Sequence, residues 1–456
     1  MRLSISLKNL EKISGGKILK GGGKIYSFST DTRKLKKGDV FWALKGASFD
    51  ANEFIAQAVS MGIKGAICRK GAFPRDLLKE VDFVLEVPDT LKSLHILAAR
   101  IMRESRLPVI SVTGSNGKTT TKEMIRHILS QKAPVCSNFG NFNNHFGLPF
   151  SVLELEKKHR FAVFELGASR RGEVAELAKI IRPDVSVITT IGPEHLEFFK
   201  SMENIFKTET ETLDYLKKGG IAVYHGDNPW LKRLSKRQIK KLTFGFEKGN
   251  DMVVSITGGK ACFNFRGKSY QTRLKISGSH NLLNAAAAFL AATACSIKPQ
   301  DIIRALETFP GVKMRMQRLT WRKSEIIFDA YNSNPQSLEM FLNETALLQP
   351  QVLVLGDMKE LGKFSSKYHL EAGKNLASRK AEKIILIGPE MKPAFLFLKD
   401  KKENVKYFSG TSQATEEVKR LFARDKKYFF LFKASRSMKF ESLLPDKISE
   451  KVTLTH

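Results

Sequence analysis

Residues 109–121 read Val-Ile-Ser-Val-Thr-Gly-Ser-Asn-Gly-Lys-Thr-Thr-Thr. An apolar, β-branched run ends in a glycine turn, and a helix-like segment starts near Lys118. Strand, turn and helix in that order make a phosphate cradle. Gly114, Ser115, Asn116 and Gly117 can turn backbone N–H groups towards a polyphosphate, and the helix N-terminus adds partial positive charge. Lys118 can reach the outer phosphates, and the hydroxyl of Thr119 or Thr120 can ligate Mg²⁺. The common form of this motif has a further glycine five residues before Gly117, where this chain has Val112. The expectation is ATP binding, against the plain alternative of an ordinary strand-to-helix turn.

Three more side chains carry candidate chemistry. Glu165 ends the apolar run Phe161-Ala-Val-Phe164, where open parallel sheets place their ligands. Its carboxylate suits Mg²⁺, which takes oxygen donors; a helix-capping or surface glutamate is the alternative. His195, in Ile191-Gly-Pro-Glu-His195, follows the next strand and would face the same crevice. A partly buried structural histidine explains it equally well. Lys207 lies on a predicted helix, and on spacing alone it reads as a solvated lysine.

Strand-like runs at Val109–Thr113, Phe161–Leu166, Val185–Thr190 and Ile221–His225 alternate with amphipathic stretches, which predicts a mostly parallel sheet with crossover helices. The alanine-rich helix Leu282–Ala294 closes this part, its small face suited to close packing. Before it, the first hundred residues alternate short strands (Ile25–Asp31, Asp39–Leu44, Gly65–Cys68, Phe83–Val87) with helices over Asn52–Met61 and Leu91–Arg103. After it, Ile326–Asp329, Val352–Leu355, Lys383–Ile387, Val405–Phe408 and Tyr428–Phe432 read as a Rossmann-like sheet. The expected fold is α/β in three domains: a small N-terminal one (1–106), a central P-loop one (107–314) and a C-terminal one (315–456).

At 456 residues and 42% hydrophobic content the chain can bury several cores. Its four cysteines have no Cys-x-x-Cys spacing and predict free thiols in a reducing cytoplasm. No apolar run is long enough to span a membrane, and Met1–Gly15 is not built like a signal peptide. The net charge of +30 is dispersed, with only short clusters such as Lys232–Lys241 and Lys399–Lys402. Without a basic stripe interleaved with aromatics, it fits steering of anionic small molecules better than dedicated nucleic-acid binding.

From end to end the motifs resemble those of the Mur ligases and their folylpolyglutamate synthetase relatives. Asp31-Thr-Arg33 and Ala43-Leu-Lys-Gly46 are similar to the family's UDP-binding signature. Gly140-Asn-Phe-Asn-Asn144 resembles its substrate-facing loop, and Gly278-Ser-His-Asn281 its adenine-side motif. Asp329-Ala-Tyr-Asn-Ser-Asn-Pro335 and Gly356-Asp-Met-Lys-Glu-Leu-Gly362, with His369, look like the F-type branch. They differ from the branch that adds the third stem residue. Met314, Phe328, Ala434 and His225 depart from the family's usual residues.

The resemblance implies an ATP-dependent amide ligase of peptidoglycan precursor synthesis, joining D-alanyl-D-alanine to a UDP-N-acetylmuramoyl tripeptide. Thr119, Glu165 and His195 would serve two Mg²⁺ ions, and Lys207 would be a carbamate that ligates metal. Asn281, Arg315 and Asp329 would contact the nucleotide. Asp31, Arg33, Lys45, Gly46, Asn141, Asn143, Asn144, Tyr331, Asn332, Asn334 and Asp357 would contact the other substrates. The same resemblance implies a cytoplasmic enzyme, expected to be a monomer. Another amide ligase of the superfamily, or a P-loop ATPase that binds polyanions, are the rival expectations.

Overall fold

The computed structural model describes residues 2–46 and 49–453. The chain forms two compact units, interleaved in sequence. The first takes Met1–Val109, Ala133–Leu166 and Ala175–Pro183; the second takes Ile110–Lys132, Gly167–Val174 and Asp184–His456.

In the first unit a six-stranded sheet runs in the order Arg2–Ser6, Lys24–Ser29, Val40–Trp42, Gly65–Arg69, Phe83–Val87, Lys17–Lys20. Its centre is parallel and its two edge strands are antiparallel. Every residue of Phe83–Val87 is buried, because helices cover both faces of a parallel strand. The helix Thr90–Ser105 starts where Asp89 accepts the Lys92 N–H at 2.8 Å. It buries Leu94, Leu97, Ala98 and Met102, the three- and four-residue spacing of one helix face. The strands Val135–Ser137 and Phe161–Glu165 pair in parallel in the same unit, with Glu165 as the last strand residue.

The second unit holds two sheets. One runs Lys268–Thr272, Lys260–Phe265, Met252–Thr257, Lys240–Gly245, Ile221–His225, Val185–Ile188, Val109–Thr113. It is parallel from Val109–Thr113 as far as Met252–Thr257, then continues as an antiparallel meander through the last two strands. That meander departs from the expected succession of crossover helices. Lys260–Phe265 and Lys268–Thr272 are joined by a two-residue Arg266-Gly267 turn with positive φ at both positions, which only a hairpin needs.

The other sheet runs Gln317–Trp321, Ser324–Asp329, Phe429–Lys433, Gln351–Gly356, Lys383–Ile387, Val405–Phe408, parallel except for its first pair. Leu353, Leu355, Ile384 and Leu386 enter one core, while Val352, Val354, Ile385 and Ile387 enter the other. Such two-sided burial is why these strands read as unbroken apolar runs. The antiparallel edge strand Gln317–Trp321, half-exposed, carried no such run and was not expected.

The alanine-rich helix Ser279–Ala294 buries Ala285 to Ala288, Ala291 and Ala292 completely and packs on the P-loop helix Lys118–Ser130. Small side chains let the two backbones approach closely, as the composition predicted. All four cysteines are free; Cys68, Cys136 and Cys262 are buried and Cys295 only partly so. Among the described residues no helix is long and apolar enough to cross a membrane.

Candidate functional site

The glycine turn sits at the C-terminal end of Val109–Thr113, the crevice end of a parallel sheet. Gly114 has φ +117°, and a Cβ there would lie 2.3 Å from Thr189 Oγ1. Gly117 has φ +83°, and its Cβ would meet Asn284 Oδ1 at 2.3 Å. Both positions therefore require glycine. Asn284 also accepts the Thr121 hydroxyl at 3.2 Å, so the alanine-rich helix clamps the start of the P-loop helix.

Around this turn the second unit gathers charge. Lys118 Nζ donates to the Gly114 carbonyl and lies 3.2 Å from Glu194 Oε2, both side chains largely buried. Gly114 N–H donates to Glu209 Oε2 at 2.5 Å, and Thr113 Oγ1 to the Glu209 carbonyl at 2.9 Å. Complete burial pushes the Glu209 carboxyl up to about 7; Lys118 and the Gly114 N–H oppose the shift and Glu194 adds to it. Glu194 Oε1 and Glu209 Oε1 are buried without a hydrogen-bond partner. Neither glutamate was assigned a role from sequence. The available signal was an acid directly before His195 and another two residues after Lys207.

Side chains from the loops and helix start beside the C-terminal sheet reach the same region. Arg315 donates to Thr119 Oγ1 at 2.9 Å and stacks over the Tyr331 ring at 4.2 Å. Asn334 Nδ2 donates to Asn116 Oδ1 at 2.9 Å, and Asn116 Nδ2 to Gln336 Oε1 at 3.0 Å. His195 Nδ1 lies against Glu360 Oε2 as an ion pair, without the in-line geometry of a hydrogen bond. Burial lowers this imidazole's affinity for a proton, but Glu360 and Glu194 outweigh it, so His195 titrates above its ordinary value. Asp329 pairs with the buried Lys433 at 2.7 Å, and Lys433 also donates to the Asn332 carbonyl.

Other expected residues are engaged locally. Ser115 Oγ is exchanged with Gly192 at 2.9 Å, bracing the turn from behind. Thr120 is buried. Asn281 is buried, donates to the Ser277 carbonyl at 2.7 Å and accepts from Asn284. Asp357 is fully buried; it accepts the N–H groups of Glu390 and Met391 and the ammonium of Lys359 at 2.7 Å. Lys207, half-exposed on the helix Met202–Glu209, lies 3.4 Å from Glu203.

In the first unit, Glu165 is buried and accepts from Asn143 Nδ2 at 2.8 Å through Oε1, leaving Oε2 without a partner. Asn144 Oδ1 accepts the Phe146 and Gly147 N–H groups, which starts the helix Gly147–Leu153. Asn141 is exposed in the same loop. Asp31 holds Arg33 through two side-chain contacts at 2.9 and 2.8 Å. Lys45 stands 3.8 Å from Asp50, and Gly46 N–H donates to the Phe49 carbonyl.

In the second unit the unpartnered oxygens of Glu194 and Glu209 are hard anionic donors of the kind Mg²⁺ takes, and in the first unit Glu165 Oε2 is another by itself.

Comparison with known proteins gives a consistent picture. The Mur ligase middle domain matches residues 112–292, and the Mur ligase glutamate ligase domain matches residues 314–436. The UDP-N-acetylmuramoyl-tripeptide–D-alanyl-D-alanine ligase of Bacillus subtilis (strain 168) is 36% identical over 438 residues, covering 93% of each chain. A crystal structure of MurF from Acinetobacter baumannii superimposes with a TM-score of 0.89 at 31% identity, covering 98% of this chain and 99% of that one. MurF from Thermotoga maritima, solved in complex with ADP, gives 0.82 at 30% identity, over 94% and 98%.

Proposed function

We propose that this chain, which belongs to the Mur ligase family, joins D-alanyl-D-alanine to UDP-N-acetylmuramoyl tripeptide at the expense of ATP. The observation that carries the reading is the glycine turn with its buried Lys118, with Arg315 and Asn334, from segments beside the C-terminal sheet, on the turn and its helix, and Glu360 against the neighbouring His195. The ATP γ-phosphoryl passes to the free tripeptide carboxylate as the bond to the β-phosphate oxygen breaks, leaving ADP. The dipeptide amine then attacks the acyl phosphate, expels phosphate and loses a proton, forming the amide.

Transfer of this kind depends on positioning and on neutralising charge. The turn from Gly114 to Thr120 and Lys118 hold the phosphates, while Arg315 and Asp329 close on the nucleotide and Asn281 lies on its adenine side. Mg²⁺, two ions in this reading, would be held by Thr119, Glu165, His195 and a carbamylated Lys207, and would supply charge neutralisation. Asp31, Arg33, Lys45, Gly46, Asn141, Asn143 and Asn144 serve the UDP-substrate, and Tyr331, Asn332 and Asn334 the acceptor side, while the buried Asp357 acts only through Lys359, which it holds. Three functional domains at 1–106, 107–314 and 315–456, acting as a monomer in the cytoplasm, complete the reading.

Phosphate release from ATP is expected only when tripeptide and dipeptide are supplied together, with a product heavier by the dipeptide. Release without both, or stimulation by polyanions instead, would sink the assignment. Carbamylation has its own check: labelled bicarbonate should give a ¹³C carbamate resonance that is missing from Lys207→Arg.

A further inference from the structure

Charge is unevenly placed on the C-terminal sheet. The strands Ser324–Asp329, Phe429–Lys433, Gln351–Gly356, Lys383–Ile387 and Val405–Phe408 are parallel, so their first residues share one rim and their last residues the other. The last-residue rim leads into the segments that meet Asn116 and His195. Its connecting stretches (330–334, 357–364, 388–391, 409–410 and 434–439) hold four basic residues and three acidic ones. On the opposite rim, 322–323, 345–350, 378–382, 399–404 and 424–428 hold ten basic and four acidic. Steering of substrates to the P-loop would favour the first rim, so this excess asks for another partner.

Folding itself uses part of it. The helices Pro335–Glu344, Ser365–Ala377, Lys392–Leu398 and Thr411–Ala423 end at the basic rim, and cations suit helix C-termini. Arg379 donates to the Leu342 carbonyl, Lys402 to the Arg379 carbonyl and Arg322 to the Ala423 carbonyl. Lys323 and Lys426 pair with Asp425 and Glu382. Lys380, Lys399, Lys401, Arg424 and Lys427 are exposed, with no ion pair among the described residues.

Between Lys380 and Lys427 the same rim presents Leu347, which is 95% exposed. Its loop is braced. Arg379 donates to Thr345 Oγ1 at 2.8 Å and to Gln351 Oε1 at 2.9 Å, Gln351 Nε2 to the Thr345 carbonyl at 2.6 Å, and Gln349 Nε2 to the Lys380 carbonyl at 2.9 Å. A fixed loop that holds a leucine in water forgoes the burial that side chain would gain elsewhere.

We infer that this rim docks on an anionic lipid membrane. Leu347 enters the boundary between headgroups and acyl chains, and the unpaired cations around it meet lipid phosphates. Charge complementarity sets the sign of the partner, and the aliphatic tip selects a bilayer over nucleic acid. The rings at this rim, Trp321, Tyr428 and Phe429, each lie under a cation of the chain, and Tyr428 is buried, so they form no platform for stacking bases. A chain docked by this rim keeps the opposite one clear of the bilayer.

The test is flotation of the full chain with vesicles of phosphatidylcholine alone or of equal parts phosphatidylcholine and phosphatidylglycerol. Wild type should bind the mixed vesicles about tenfold or more tightly than the neutral ones, and concentrated salt should release it. Leu347→Ser, and the pair Lys380→Glu with Lys427→Glu, should each weaken that binding about tenfold. Lys8→Glu with Lys12→Glu, both exposed on the helix Leu7–Ser14 of the first unit, alters net charge equally and should bind as wild type does. Melting temperatures equal to that of wild type check that the variants are folded. No preference for the mixed vesicles, wild-type binding in both rim variants, or an equal loss in the Lys8 and Lys12 pair overturns the docking surface. So does tight binding of a single-stranded oligonucleotide that the lysine reversals abolish and Leu347→Ser leaves intact, which would make nucleic acid the partner.

Discussion

Gly117 shows how little freedom the site leaves at a single residue. Its positive φ and the 2.3 Å approach of a Cβ to Asn284 Oδ1 make two separate objections to any side chain. Gly117→Ala is expected to weaken nucleotide binding by roughly tenfold or more, since the turn must shift its phosphate-facing N–H groups. Asn284→Ala in the same background relieves the clash but not the backbone strain, so it should restore part of the loss. Full recovery, measured by ADP titration calorimetry, would mean that strain contributes nothing. At this scale Lys118 and Gly117 were legible because a motif fixes their roles locally. Glu194 and Glu209 were not, because burial beside Lys118 is what distinguishes them from surface acids.

Among the elements, the strand Gln351–Gly356 and the helix Ser365–Ala377 are tied by one buried histidine. His369 Nε2 accepts the Met358 N–H at 3.0 Å, and burial holds the imidazole below its ordinary 6.5, against the Ser365 carbonyl and nearby acids. In the folded protein the ring takes its proton only at lower pH than in the unfolded chain, where the ordinary value is 6.5. Its contribution to stability is therefore whole above pH 6.5 and is lost as pH falls through that value towards the lower folded pKa. The melting temperature should drop between pH 7.5 and 5.5, and His369→Gln, which keeps an acceptor for Met358, should flatten part of that slope. An unchanged slope would place the titrating group elsewhere. The sequence reading caught the apolar parallel strands to within a residue or two, since burial on both faces writes them as continuous runs. It missed the edge strand Gln317–Trp321, the parallel strand Lys240–Gly245 and the meander Met252–Thr272, whose alternating or polar residues resemble loop composition.

At the scale of the whole chain, 76 basic residues against 46 acidic ones set a long-range field. If that field steers anionic substrates, raising ionic strength from about 0.05 to about 0.5 M should raise KM for ATP and UDP-tripeptide several-fold. KM for the zwitterionic dipeptide should barely move. Equal salt sensitivity of all three would remove steering as the explanation and leave the charge as a solvated surface. Within the second unit, the contacts Arg315–Thr119, Asn334–Asn116 and Glu360–His195 bring together residues 165 to 218 positions apart.

The sequence alone determined the phosphate cradle, the α/β class and the order of the apolar strands. Each follows from local chemistry: glycine where φ is positive, a lysine after the turn, β-branched residues where both faces are covered. The tertiary structure decided which acids become buried partners of Lys118 and which side chains beside the C-terminal sheet reach the turn. It also decided that Asp357 is spent on holding Lys359. Those outcomes depend on desolvation and on contacts between residues far apart in the chain, and neither quantity is written in spacing.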